Sequence, residues 1–184
     1  MNSDTKKILK LTFILFLICA ITAGILGVVN EVTKDRIYMQ KNAKTIEAYS
    51  VVLASDRYDE VEFDKAAFPT VDAVSKADNG AGYVVQSTFS GAQGSITMVV
   101  GVDNDFLCTG ISIIKHSETS GLGANAASSS ETGVNWRAQF LGVDQNVALK
   151  KAGGSIDALA GATITSRTVT EATALSIRLV SELG

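Results

Sequence analysis

The sequence contains only two cysteines, one histidine and one proline in its 184 residues. Structural zinc and iron–sulfur sites need several cysteine or histidine ligands, so this composition argues against a dedicated metal site. A disulfide is not expected either, because Cys19 lies in an apolar N-terminal run and Cys108 in a predicted strand. The net charge is -3 and basic residues form no patch, which argues against nucleic-acid binding. The 16 glycines and the near absence of proline favour a compact domain with glycine-rich turns.

Charged residues are also missing from one long stretch, Leu11 to Val29. An uncharged apolar run close to the ~20 residues that span a bilayer predicts a membrane anchor. A cleaved signal peptide is the alternative, but its apolar core is usually ~7–15 residues long and no clear small-x-small cleavage site follows the run. By the positive-inside rule, the N-terminus is expected in the cytoplasm and the rest of the chain outside the cell membrane, because three lysines precede the run: Lys6, Lys7 and Lys10.

Three regions are predicted along the chain. They are a cytoplasmic tip with a transmembrane helix at 1–30, a helical stalk and connector at 31–65, and one extracytoplasmic domain at 66–184. The stalk helix is predicted over 32–54, although its apolar face is only partial. The polar and acidic segment at 55–65 is interpreted as the connector.

The domain at 66–184 is predicted to be α+β, with an antiparallel sheet and flanking helices. Stretches rich in β-branched and aromatic residues at 83–89, 95–102 and 106–114 are separated by turns, and they predict three sequential antiparallel strands. Helices are predicted near 135–141 and over 167–182, where apolar residues recur at helical spacing.

The segment from Asp157 to Ser166 precedes the last predicted helix and reads Asp-Ala-Leu-Ala-Gly-Ala-Thr-Ile-Thr-Ser. Free N–H groups and the positive end of the helix dipole favour a phosphate at such a position. The plainer interpretation is an ordinary loop with a helix cap. That cap would come from Thr165 or Ser166, or from the pair Thr168 and Glu171, which have capping-box spacing.

The same segment resembles the flavinylation motif Asp-x-x-(Ser/Thr)-Gly-Ala-Thr of FMN-binding domains. Such domains occur in the G subunit of Rnf complexes and in the C subunit of sodium-pumping NADH:quinone oxidoreductases. A second segment, His116 to Gly123, is similar to that family's His-x-Glu-Thr-Pro-Gly-Leu-Gly loop. Two positions depart from the family pattern, since Ala160 replaces the usual Ser or Thr and Ser120 replaces the usual Pro. The resemblance covers nearly the whole chain, from the predicted anchor to the last helix.

The resemblance implies that Thr163 carries FMN through a phosphoester bond, which would make the chain a covalent flavoprotein and a phosphoprotein. A threonine hydroxyl is a poor nucleophile without a base, and no Ser-His-Asp-like arrangement is evident around Thr163. A separate flavin transferase, with FAD as donor and Mg²⁺ as its metal, is therefore implied, and neither a catalytic residue nor a metal site is expected in this chain. The transferase would recognise Asp157, Gly161, Ala162 and Thr163. The departure at Ala160 is expected to affect this recognition more than the bond itself.

Further cofactor contacts are expected in both motifs. Backbone N–H groups of Gly121, Leu122 and Gly123 would approach the edge of the flavin ring, because glycine lets backbone come close. Glu118 would disfavour the anionic reduced flavin if close to the ring, or organise the loop if turned away. A structural role is equally open for His116, and a core position is favoured over ring stacking for Trp136. The full set of expected contacts is Glu118, Thr119, Gly121, Leu122, Gly123, Gly161, Ala162, Thr163, Thr165 and Ser166, the last two through the phosphate.

The resemblance implies an electron-carrying subunit of a translocase. It would relay electrons between other membrane subunits of an Rnf-type ferredoxin:NAD⁺ oxidoreductase that pumps Na⁺ or H⁺. The chain lacks intramembrane carboxylates and a nucleotide-binding glycine fingerprint, so it is not expected to form the ion path or the NAD⁺ site. The alternatives are the C subunit of a Na⁺-translocating NADH:quinone oxidoreductase, a stand-alone anchored flavoprotein, and a non-redox scaffold.

Overall fold

A computed structural model describes the backbone of residues 3–183 and the side chains at 10–24, 26 and 44–183. The chain divides into two compact units, Met1–Ala43 and Lys44–Gly184. Helix α1 runs through Ser3–Val52, so the helix expected for the stalk is present and ends close to its predicted end.

The described side chains of the first unit are exposed, among them the large apolar ones of Leu11, Phe13 and Leu15. Among the described residues, no helical stretch combines the length and the apolar character of a membrane span. The membrane segment predicted at 11–29 lies partly outside the described side chains, and it stays a prediction.

The second unit is built on a five-stranded antiparallel sheet whose strands are neighbours in chain order. The prediction of three sequential antiparallel strands is confirmed, and two more strands precede them. The polar segment predicted as a connector contains the first strand, which is short and largely exposed and so has no apolar alternation to reveal it. The strands are β1 Tyr58–Glu60, β2 Val71–Ala77, β3 Gly82–Ser90, β4 Ser95–Asp103 and β5 Cys108–His116.

Two further helices flank the sheet, α2 at Glu131–Ala138 and α3 at Thr163–Leu183. Helix α2 begins earlier than predicted because the Ser130 side chain accepts a hydrogen bond from the backbone N–H of Gly133, which caps the first turn. Helix α3 also begins earlier than the predicted residue 167. The three hydroxyl residues expected to cap α3 therefore lie inside it, and that prediction is wrong: Thr165, Ser166 and Thr168.

The sheet has a buried cluster on each face, as the period-two alternation of a strand requires. On β3, Val84 belongs to the cluster formed with the end of α1, whereas Val85 belongs to the main core with α3. The apolar face predicted for the last helix is confirmed, because Ala172 and Leu179 are buried and Leu175 packs against the core.

Helix α3 also carries buried hydroxyl groups. Four of them donate to a backbone carbonyl four residues earlier in the helix or its preceding turn, at 2.8–2.9 Å. Small side chains that satisfy their own polar groups let the helix lie close to the sheet without unpaired donors. These residues are Ser166, Thr170, Thr173 and Ser176.

Candidate functional site

Thr163 is the first residue of α3, and its side chain is exposed. A tight turn precedes it, in which the N–H of Ala162 donates to the carbonyl of Leu159 at 3.0 Å. Gly161 has φ +70°, a left-handed conformation that glycine adopts without steric cost. The turn therefore presents the Thr163 hydroxyl at the helix end where backbone N–H groups lack intrahelical partners.

Ser166 fixes this turn to the helix. Its Oγ accepts a hydrogen bond from the N–H of Leu159 and donates one to the carbonyl of Ala162, both at 2.9 Å. The side chain is fully buried and lies outside the cavity described below. Because its single proton is already donated, Ser166 has none to offer a phosphate in this arrangement.

A cavity of about 360 Å³ borders Thr163. Three chain segments line it, and the two sequence motifs supply two of them although they lie far apart in the sequence. The third is the turn between β3 and β4, which neither motif indicates. The lining consists of Ala92 and Gln93, then Glu118, Thr119, Leu122 and Gly123, then residues 161–165.

Most of the residues expected at the cofactor therefore lie together, and two do not. Ser166 is buried beneath the turn, and Gly121 lies outside the lining at φ +77° with open space around it. The two positions that depart from the motif pattern, Ser120 and Ala160, are both exposed.

Glu118 joins the three segments of the lining. One carboxylate oxygen accepts a hydrogen bond from the Thr165 hydroxyl, and the other accepts one from the N–H of Gln93 at 3.1 Å. The side chain is 8% exposed. Both oxygens are thus engaged with protein groups, which supports the second of the two expected roles, organisation of the loop.

The same hydrogen bonds set the protonation of Glu118. Burial by itself would raise the pKa of this carboxyl. The bonds from Thr165 and from the N–H groups of Gln93 and Ala92, together with attraction to His116, outweigh burial and lower the pKa below its ordinary value. Glu118 is therefore ionised at neutral pH.

Two glycines make room for this carboxylate. A Cβ atom on Gly123 would lie 2.5 Å from Glu118 Oε2, and one on Gly91 would overlap Glu118 Oε1. Neither glycine has a positive φ, so the requirement at both positions is space. Glycine at these positions lets the turn between β3 and β4 approach one oxygen of Glu118 and the loop after β5 approach the other.

His116 supports the loop through its ring. The N–H of Glu118 donates to His116 Nδ1 at 3.2 Å, a contact that holds the first turn of the loop at the end of β5. His116 does not line the cavity. This geometry favours the structural role that the sequence left open.

Apolar side chains also face the cavity. Leu122 is 43% exposed and Ile164 is 50% exposed, although both are large and apolar. The volume falls within the ~300–1,000 Å³ typical of sites for small organic molecules. A flat aromatic ring system fits this chemistry, because it would cover the two apolar side chains and meet the exposed Thr119 and Gln93.

Asp157 is the first residue of the motif that contains Thr163. Its carboxylate forms an exposed ion pair with Lys150, with Oδ2 2.6 Å from Nζ. Its backbone is held on both sides, since the carbonyl accepts from Trp136 Nε1 at 2.7 Å and the N–H donates to Gln139 Oε1 at 2.8 Å. Trp136 is 4% exposed and packs edge-on against Phe140, so it belongs to the core.

Comparison with known proteins identifies the family. The model of the FMN-binding domain matches residues 91–177, and that of the RnfG N-terminal region matches residues 1–52. The G subunit of the ion-translocating oxidoreductase complex of Methanosarcina acetivorans is 33% identical over 97% of each chain. The chain belongs to the RnfG family.

Other members of the RnfG family are similar over most of their length. The G subunit of the Na⁺-translocating ferredoxin:NAD⁺ oxidoreductase complex of Acetobacterium woodii is 32% identical over 98% of this chain and 95% of its own. Among solved structures, the C subunit of the Na⁺-translocating NADH-quinone reductase from Parabacteroides distasonis is 24% identical over 64% of each chain, with a TM-score of 0.44.

The FMN-binding match contains every segment that lines the cavity. It begins at residue 91, so it includes the turn with Ala92 and Gln93. The match thus includes the cavity lining but neither α1 nor the first three strands.

Proposed function

We propose that this chain is the electron-carrying G subunit of an Rnf-type ion-translocating oxidoreductase, with FMN joined to the hydroxyl of Thr163. The RnfG matches and the full-length relatives support the subunit, and the FMN-binding domain supports the cofactor. The observation that carries the attachment site is the exposure of Thr163 at the cavity where both motifs meet.

The attachment requires an outside enzyme. In the proposed step, Thr163 Oγ1 forms a bond to the flavin-side phosphorus of FAD, the phosphoanhydride bond breaks, and AMP leaves. The hydroxyl proton needs a base, and the one ionised side chain in the cavity lining, Glu118, already accepts hydrogen bonds from Thr165 and Gln93. A flavin transferase with bound Mg²⁺ supplies that base, and it reads the turn that contains the exposed Asp157 and Gly161 and the buried Ala162.

Attached FMN supplies one- and two-electron transfer, which no side chain of this chain provides. The residues of the cavity then have simple tasks. Leu122 and Ile164 cover apolar ring surface, Thr119 and Gln93 offer polar contacts at its edge, and Glu118 keeps the turn and loop at a fixed separation.

The domain is proposed to lie outside the cell membrane, next to the other membrane subunits of the complex. The uncharged run at 11–29 and the lysines before it support a single-pass anchor with a cytoplasmic N-terminus. Electrons would enter and leave through those neighbouring subunits, since the chain has no nucleotide-binding fingerprint.

Intact mass tests the attachment. The full chain purified from a host that co-expresses a flavin transferase should gain the mass of one FMN less one water. Thr163→Val should abolish the gain because the nucleophilic oxygen is gone. Thr168→Val, which removes a hydroxyl from the same helix outside the cavity, should retain it. A gain that persists in Thr163→Val would show that the acceptor is another residue.

A further inference from the structure

A second cavity of about 300 Å³ also borders Thr163. It is lined by Lys150 and Lys151, by Asp157 and by the turn that leads to α3. Gly161 and Thr163 line both cavities, so the proposed attachment residue stands where the two meet.

The two cavities carry opposite charge. The lining of the first contains one charged side chain, the ionised Glu118, and no lysine or arginine. The lining of the second contains two lysines and one aspartate. The negative charge of the first lining would repel a phosphate, and the net positive charge of the second would attract it. The uncharged ring of a flavin has no such preference between the two linings.

The hydroxyls near Thr163 do not offer a phosphate site in this arrangement. Each hydroxyl has one proton, and Thr165 donates its own to Glu118 while Ser166 donates to the carbonyl of Ala162. The two residues expected from the sequence to bind the phosphate are thus committed to other acceptors. Besides the unpaired backbone N–H groups at the start of α3, the lysines that line the second cavity are the charged donors bordering Thr163.

The loop that carries the lysines is firmly built. Lys150 begins a short 3₁₀ turn, its N–H donates to the carbonyl of Ile156 at 2.8 Å, and Leu149 pairs with Ile156 in a β-bridge. A Cβ on Gly154 would overlap the carbonyl of Ala148, so the loop closes as tightly as glycine permits. The Lys150 ammonium is held at Asp157, whose backbone is itself fixed by Trp136 and Gln139.

We propose that the second cavity is the phosphate-binding site of the flavinylated protein, with Lys150 and Lys151 as its donors. This inference rests on the proposed attachment of FMN to Thr163. The lysines hold the phosphate oxygens of the FAD donor while the Thr163 oxygen–phosphorus bond forms and AMP departs. They then neutralise the phosphodiester that remains, and the ring occupies the cavity at Glu118. Asp157 acts as a positioning residue for Lys150.

Rates of attachment test the proposal. The unmodified full chain in detergent is incubated with purified flavin transferase, FAD and Mg²⁺, and the mass gain is followed over time. Lys150→Gln with Lys151→Gln should slow attachment at least about tenfold, since a hydrogen bond to a charged group is typically worth that factor or more. Lys115→Gln, an exposed lysine on β5 that lines neither cavity, should leave the rate unchanged.

The phosphorus-31 spectrum separates phosphate binding from docking of the transferase. In chains modified to completion, the phosphodiester resonance should move in the double lysine variant and stay in place in Lys115→Gln. Equal attachment rates in the double variant and the wild type would overturn the inference and leave the proposed function intact. Slowed attachment with an unmoved resonance would also overturn it, because the lysines would then serve the transferase alone. A wild-type chain that gains no mass would overturn the proposed function as well.

Discussion

Gly123→Ala should weaken the domain through a single carboxylate. The added Cβ would lie 2.5 Å from Glu118 Oε2 and 2.6 Å from Thr165 Oγ1, well inside ordinary contact. The carboxylate and the hydroxyl both have to move away from the added Cβ, and this movement disrupts the hydrogen bond between them. The substitution therefore introduces a steric clash, and its consequence is the loss of a hydrogen bond to a charged carboxylate.

The size of the effect follows from these two parts. Overpacking a buried position costs ~1–3 kcal/mol, and a hydrogen bond to a charged group contributes ~1.5–3 kcal/mol. The two parts do not add, because movement of the carboxylate relieves the overlap as it breaks the bond. We expect the free energy of unfolding to fall by about 3 kcal/mol.

Denaturant unfolding of the full chain in detergent measures this loss, with the fluorescence of the single tryptophan, Trp136, as the probe of the folded domain. Gly121→Ala is the matched control, because it lies in the same loop, has open space around it and φ +77°. Its expected cost is only the ~1–2 kcal/mol of a left-handed residue. If Gly123→Ala costs no more than Gly121→Ala, the argument from the carboxylate is refuted.

Two further predictions concern single side chains. Because the folded pKa of Glu118 is lowered, its ionisation stabilises the fold above the ordinary Glu pKa of ~4.3, and this stabilisation is lost as the pH falls through the lower folded value. Unfolding measured down to about pH 3 should therefore show a smaller acid loss in Glu118→Gln than in the wild type, and equal losses would contradict the assignment. Burial raises the pKa of the Cys108 thiol to about 12. The variant Cys19→Ser leaves Cys108 as the only thiol. Iodoacetamide should therefore modify this variant when it is denatured but not when it is native. Native modification at the denatured rate would contradict the burial of Cys108.

Three of the five strands and the two motif loops were predictable because their signals reside in side chains. Runs of β-branched residues marked β3, β4 and β5, and the two motifs marked the loops that meet at Thr163. The turn between β3 and β4 carried no such signal. Its contribution to Glu118 is the backbone N–H of Gln93, and a backbone group leaves no trace in residue type.

The start of α3 was mispredicted for a different reason. Thr163, Ile164 and Thr165 are β-branched, and their weak helix propensity favours a later start. Tertiary contacts outweigh that preference, since Ser166 binds the preceding turn and Thr165 binds Glu118. Helix propensity takes no account of these two contacts. The sequence alone therefore predicted that the hydroxyls of Thr165 and Ser166 would cap the helix or bind the phosphate.

The hydroxyl groups of α3 determine which effects substitutions along this helix would have. Among the described residues, every side-chain hydrogen bond from α3 to another part of the chain arises near its beginning, from Thr165, Ser166 and Thr168. Beyond Thr168 the helix contacts the rest of the domain through apolar side chains and through Arg178, whose guanidinium lies 5.6 Å from the centre of the Phe68 ring. The helix is thus fixed by hydrogen bonds at its beginning and by packing along the rest of its length. A change near Leu179 would lower stability, whereas a change near Thr165 would also move the turn that presents Thr163, the proposed attachment residue.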